Sequence, residues 1–124
     1  DRESLIAMLE AEMLAAAEIM ERDHACSIEV IDIRTLVPLD MPTILRSVQK
    51  TGRCLVCSQA VNIGSYTAEI AQRVQEDAFD YLDAPVMRLG AKDGIAPQAY
   101  SLEEVFLPHV NDMVAKLKVL CAIA

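Results

Sequence analysis

From residue 27 to residue 89 the chain alternates short apolar runs with amphipathic stretches, and each change of pattern is punctuated. Residues 27–33, SIEVIDI, are almost continuously apolar and β-branched, as parallel strands covered on both faces are. Arg34 and Thr35 form a polar exit and Pro38 breaks the run. Asp40 is placed to cap a helix through its carboxylate, with Pro42 tolerated in the first turn. Ile44, Leu45 and Val48 make the apolar stripe of that helix, and Gly52 stops it. Residues 53–58 read as a short central strand. Gly64 and Ser65 open a second helix with Ile70, Val74 and Ala78 on one face, and residues 83–85 turn into a strand over 86–89.

The two ends carry weaker punctuation. Leu5, Leu9, Met13, Ala16 and Met20 keep a helical period from residue 2 to residue 22. That pattern fits one long helix, or a short strand over 5–9 followed by a helix over 11–23, with Glu10, Glu12, Glu18 and Glu21 on its solvated face. Beyond a loop over 90–99, Ser101 and Glu104 fit a capping box. Pro108 opens a last helix, with Val110, Met113, Val114, Leu117 and Cys121 sharing a face. Strands alternating with helices predict an α/β fold, a three-layer α/β/α domain with a mostly parallel sheet of four to five strands. The 124 residues suffice for one domain, expected to be an excised fragment because the chain starts at Asp1 rather than Met.

Composition narrows the partners. The chain is 53% hydrophobic but only 4% aromatic, so its core is aliphatic. Its net charge of −8, with no cluster of Lys or Arg, argues against nucleic acid and against an anionic membrane surface. No apolar run approaches the length of a membrane span. Cys54 and Cys57 have CxxC spacing, but on a strand they point to opposite faces, which suits neither a shared metal nor a disulfide. All four cysteines (Cys26, Cys54, Cys57 and Cys121) are expected to be reduced and unliganded, in a reducing intracellular compartment. His24 and His109 are isolated in the sequence and read as surface or capping residues.

In an open parallel sheet, function gathers at the carboxyl ends of strands. There the sequence offers Arg34, Thr35, Gln59, Asn62, Ile63 and Gly64 as candidates for an interface or an entrance. Arg34 could clamp an anion or anchor an ion pair. The Gly64-Ser65 turn could present helix N–H groups to an anion, although an ordinary helix cap is the simpler reading. Glu76, Asp77, Asp80 and Asp83 form a solvated face or a docking patch, and Lys92-Asp93-Gly94 is turn chemistry. No nucleophile elbow, phosphate loop or acid–base pair is present, so no catalytic, cofactor-binding or metal-ligating residue is assigned, and the isolated chain is expected to be inactive.

Five segments in order, EVIDIRTLVPLD at 29–40, SVQKTGR at 47–53, AEIAQRV at 68–74, LDAPVMRL at 82–89 and SLEEVFLP at 101–108, resemble the transketolase C-terminal domain family. They are most similar to the version carried by beta subunits of the thiamine-diphosphate-dependent decarboxylase component of 2-oxo acid dehydrogenase complexes. The resemblance implies a non-catalytic assembly and docking domain, with residues 1–124 as the carboxyl-terminal fragment of a longer subunit. Its implied partners are an alpha part, a second beta subunit and the subunit-binding domain of the acyltransferase, in the bacterial cytoplasm or the mitochondrial matrix. It implies that thiamine diphosphate and Mg²⁺ are held elsewhere in the parent enzyme, because the Gly-Asp-Gly motif of the diphosphate site has no match here. The same kind of domain occurs in transketolase and deoxyxylulose-phosphate synthase. A stand-alone binder of small ligands at the Arg34, Gln59 and Gly64 edge is the alternative from a different class.

Two positions depart from the family's pattern. Leu9-Glu10-Ala11 stands where the family has a Gly after its first strand, and Gln59 stands where it has Glu. The family's preceding antiparallel edge strand has no match, which would leave residues 28–33 as an open edge available for pairing. Self-association, or association with the parent subunits, through that edge and the strand-exit loops is expected, with Arg34 as an ion-pair anchor.

Overall fold

In the computed structural model, residues 2–33, 39–91 and 109–122 are described, with side chains from residue 11 onward except those of 59–61. Helix α1 spans Arg2–His24, α2 spans Met41–Thr51, strand β1 spans Leu55–Val61, and α3 spans Tyr66–Asp77. A single 3₁₀ turn, Phe79–Tyr81, leads to strand β2, Met87–Ala91, and α4 spans Val110–Ala122. The first segment is therefore one helix, the first of the two readings that its period allowed. No Gly or Pro interrupts it, and Glu10-Ala11 continues the helix where a turn would need a breaker.

Local chemistry sets the ends of α2 and α3. The Asp40 carboxylate accepts from the Thr43 amide at 3.3 Å and from the Thr43 hydroxyl at 2.7 Å. Gly52 closes α2 in the left-handed region at φ 74°, its N–H donating to the Val48 carbonyl at 2.7 Å. A Cβ there would collide with the Asp83 carboxylate, so the position needs glycine for space as well as for φ. Ser65 caps α3 by accepting from the Thr67 amide at 3.1 Å.

β1 and β2 pair in parallel, Leu55 opposite Met87 and Cys57 opposite Leu89, with an irregularity before Val61 meets Ala91. α3 is the crossover between them and packs on both strands and on α2. Together these elements enclose one apolar cluster: Ile44, Val48, Val56, Ile70, Val74 and Ala78. On the other side α4 lies against β2, and α1 lies along α4. Ala16, Met20, Met113 and Leu120 are buried in these two helices.

The sheet of four to five strands is corrected in one respect: among the described residues it has two. The expected strand over 27–33 is irregular chain. Ile28, Val30, Ile31 and Ile33 are half-buried, whereas Ser27, Glu29 and Asp32 are exposed. Three ties join this segment to helices α1, α4 and α2. The Cys26 amide wraps back onto the Met20 carbonyl at 3.1 Å, past Ala25 at φ 52°. Cys26 is joined to Cys121 of α4, and Glu29 pairs with Lys50 of α2 at 3.3 Å. A cavity of about 960 Å³ lies between the segment and β1. The disulfide corrects the expectation of four reduced cysteines: only Cys54 and Cys57 are free. A separation of 95 residues in sequence gave no hint that Cys26 and Cys121 meet where α1 and α4 end together. The capping box at Ser101 and Glu104 lies outside the described residues.

Candidate functional site

The carboxyl end of β1 is where the sheet opens toward α3, and Asn62, Ile63 and Gly64 make the turn there. Gly64 has φ 72° with open space around it, and Ile63 is 74% exposed. Tyr66, the first residue of α3, adds an exposed aromatic ring three residues on. The turn is built rather than loose. The Asn62 carbonyl accepts from the Ser65 amide at 3.3 Å and from the Arg88 guanidinium at 2.7 Å. Arg88 reaches across from β2 and also donates to the Thr67 hydroxyl at 3.3 Å. Thr67 is buried, so its hydroxyl is held between Arg88 and the Ser65 hydroxyl, 3.0 Å away. The side-chain oxygen of Asn62 is buried with no hydrogen-bond partner among the described residues.

The site thus brings together three of the six residues that the sequence singled out: Asn62, Ile63 and Gly64. Gln59 lies on β1 but its side chain is not described, and Arg34 and Thr35 fall outside the described residues. Arg88 and Thr67 were missed. Arg88 sits inside the run VMRL and gives no sign that it bridges to the neighbouring strand's exit; a cation within an otherwise apolar strand is the signal that could have found it. The Gly64-Ser65 turn is an ordinary helix cap, with the Ser65 hydroxyl occupying the Thr67 amide.

Two further features lie away from that turn. Phe79 and Tyr81 are 66% and 52% exposed, amid exposed Glu76, Asp77, Asp80 and Asp83. Of these acids, Glu76 accepts from Gln72 at 2.8 Å and Asp83 lies 3.9 Å from Arg53. Under the sheet, burial pushes the Cys54 thiol up to about 11 and the Cys57 thiol up to about 12. Neither can supply a thiolate near neutral pH, so the CxxC spacing carries no nucleophile. His109 is not isolated as its sequence context suggested: its Nδ1 lies 3.2 Å from the Glu12 carboxylate, tying α4 to α1. Among the described residues no three His, Cys, Asp or Glu side chains converge as a donor set for a metal ion.

At the carboxyl end of β1 the described residues thus give a structured turn with an exposed apolar side chain, held by Arg88 and Ser65. Comparison with known proteins gives this surface its setting. The family model described as "Transketolase, C-terminal domain" matches residues 7–113. The pyruvate dehydrogenase E1 component subunit beta of Rhizobium meliloti (strain 1021) is 42% identical over 107 residues, covering 86% of this chain and 23% of that protein. The mitochondrial pyruvate dehydrogenase E1 component subunit beta of Pisum sativum is 44% identical over 108 residues, covering 87% of this chain and 30% of that protein. The 3-methyl-2-oxobutanoate dehydrogenase subunit beta of Mycobacterium tuberculosis (strain ATCC 25618 / H37Rv) is 44% identical over 95 residues, covering 77% of this chain and 27% of that protein. The chain therefore spans between 23% and 30% of the length of these relatives, and the family match runs from within α1 to the first turn of α4. With a parallel β1–α3–β2 unit at its centre and this match along most of its length, the chain belongs to the transketolase C-terminal domain family.

Proposed function

We propose that this chain is the carboxyl-terminal assembly and docking domain of the decarboxylase component of a 2-oxo acid dehydrogenase complex, with no reaction of its own. The observation that supports this most is the coverage: 86% of the chain aligns with 23% of a pyruvate dehydrogenase beta subunit. A domain of that share needs neighbours to make an active centre. On this reading the whole chain is one domain of a longer subunit, working in the bacterial cytoplasm or the mitochondrial matrix. No helix among the described residues is long and apolar enough to cross a membrane.

Thiamine diphosphate and Mg²⁺ belong, on this reading, to the neighbouring domains. The residues described here do not fit them: acidic side chains are spread over exposed helix faces rather than gathered as a donor set. The partners are the alpha part, a second beta subunit and the acyltransferase's subunit-binding domain. The contact surface is centred on Asn62, Ile63 and Gly64, with Arg34, Thr35 and Gln59 as further candidates on the same edge. Ile63 supplies the exposed apolar anchor, and Arg88 fixes the turn that presents it. A specific interface there should bury at least about 1,000 Å² in total.

A chimera tests the proposal. The matching segment of the Rhizobium meliloti subunit is replaced by this chain and co-expressed with that enzyme's alpha subunit. The expected result is an assembled complex that decarboxylates a 2-oxo acid. Ile63→Asp should weaken its assembly at least tenfold in sedimentation, and this chain alone should show no saturable uptake of thiamine diphosphate and Mg²⁺ in calorimetry. Micromolar cofactor binding by the chain alone, or a folded chimera that stays unassembled, overturns the proposal.

A further inference from the structure

Helices α1 and α4 run side by side in the same direction and are tied near both ends of their contact. Glu12 of α1 lies 3.2 Å from His109, the residue before α4, and Cys26, just past the end of α1, is bonded to Cys121 in the last turn of α4. The Cys26 amide donates to the Met20 carbonyl at 3.1 Å, so the bridge grips the last turn of α1 itself. The two ties are unequal. A partly exposed carboxylate–imidazole pair contributes little, whereas a covalent bridge across 95 residues removes much of the freedom of the opened chain. The closed apolar cluster of Ile44, Val48, Val56, Ile70, Val74 and Ala78 includes no residue of α1 or α4, and neither do the half-buried side chains packed against it. Parting α1 from α4 therefore leaves that cluster closed, as a locally opening unit requires.

We propose that Cys26 and Cys121 form a reversible redox clasp on α1. As thiols they leave α1 free to open from α4 as a unit while the cluster between α2, α3 and β1 stays intact. As a disulfide they hold α1 down. On the function proposed above the compartment is reducing, so the thiol pair is the resting state and oxidation closes the clasp. The clasp itself rests on the geometry of this chain and not on that reading.

The oxidant is a small disulfide of the glutathione disulfide class, and both cysteines are half-buried rather than sealed in the core. One cysteine thiolate attacks a sulfur of that disulfide, and the other sulfur leaves and takes up a proton. The second cysteine, as thiolate, then attacks the protein sulfur of the mixed disulfide and expels the remaining small thiol. Cys26 and Cys121 end bridged, the small disulfide ends as two thiols, and two electrons and two protons have passed to it. Cys54 and Cys57 do not compete, because burial holds both as thiols.

The test is hydrogen–deuterium exchange with mass spectrometry on the whole chain, in reduced glutathione and in glutathione disulfide. Alkylation of the denatured protein should label all four cysteines after the first buffer, and only Cys54 and Cys57 after the second. In reduced glutathione the amides of residues 13–24 should exchange at least tenfold faster than those of residues 70–77. In glutathione disulfide residues 13–24 should slow at least tenfold. Cys26→Ser and Cys121→Ser should each keep the fast exchange in both buffers, and wild type in the two buffers decides the matter if either variant fails to fold. A bridge that does not form or that takes in Cys54 or Cys57, exchange of residues 13–24 that is the same in both buffers, or residues 13–24 as slow as 70–77 in the reduced protein would each overturn the clasp.

Discussion

The two halves of this domain are held together by different means. On the side of α2 and α3, one closed apolar cluster sits between two helices and β1, and each helix starts at a side-chain cap within a few residues of its first turn. On the side of α1 and α4, the buried residues among the described side chains are Ala16, Met20, Met113 and Leu120, and the ties are distant in sequence. Cys26 and Cys121 are 95 residues apart, Glu12 and His109 97, and Arg53 and Leu120 67. The first half is specified by neighbours along the chain; the second depends on the rest of the fold being in place. Local signals fix helix ends cheaply, whereas joining remote segments carries a loop-closure cost that only the assembled fold repays.

The largest expected effect separates these halves by truncation. Ile44 lies in the closed cluster, so Ile44→Ala should cost about 2–5 kcal/mol in urea denaturation. Ile31 lines the cavity and is only half-buried, so Ile31→Ala in the oxidised protein should cost about 1 kcal/mol or less. Equal losses would erase the distinction and place Ile31 in a packed strand.

The same contrast explains what could be read from residues alone. Asp40, Gly52 and Ser65 announced their helix ends because each acts within three or four residues of itself. Ile44, Val48, Ile70 and Val74 announced their burial because helical period is a local property. The strand expected at 53–58 exists, shifted to Leu55–Val61, since apolar runs mark strands without marking their ends. The segment 27–33 has equally strong strand composition, but a strand needs a partner edge, and pairing with an edge elsewhere in the chain is not a property of the segment's own residues. At the candidate site, Asn62 to Gly64 were legible as a strand exit, whereas Arg88 and Thr67 reach that turn from β2 and from inside α3. Their contact with it is set by pairing register rather than by any local pattern.

Gly52 and Gly64 test the closed half against the exposed turn. Both adopt the left-handed region, at φ 74° and 72°. Alanine at Gly64 meets open space and should cost only the backbone strain, about 1–2 kcal/mol. Alanine at Gly52 meets the Asp83 carboxylate as well, and that residue also accepts nothing less than its current place: its amide donates to the Gly52 carbonyl at 2.8 Å. Gly52→Ala should therefore be the more damaging of the two, at the upper end of about 1–3 kcal/mol. Thermal denaturation of the two variants side by side reads the order. If Gly64→Ala cost more, the turn at the candidate site would be packed more tightly than the closed half.

The smallest effect distinguishes two caps within the closed half. The Thr43 hydroxyl, and after it the Thr43 amide, hold the Asp40 carboxyl below its ordinary range by hydrogen-bonding to the charged form. A carboxyl depressed in the folded state stabilises the fold wherever the unfolded chain's carboxyl is already ionised, above about pH 4. That contribution is lost as pH falls through the folded value. Asp40→Ala should consequently lower the urea midpoint at pH 7 and make little difference near pH 2.5. Ser65 caps α3 with a neutral hydroxyl, so Ser65→Ala should cost about 1 kcal/mol at both pH values. The decisive comparison is the difference between wild type and each variant at the two pH values. A gap for Asp40→Ala that survives acid would mean that the α2 cap works through the shape of the turn rather than through charge.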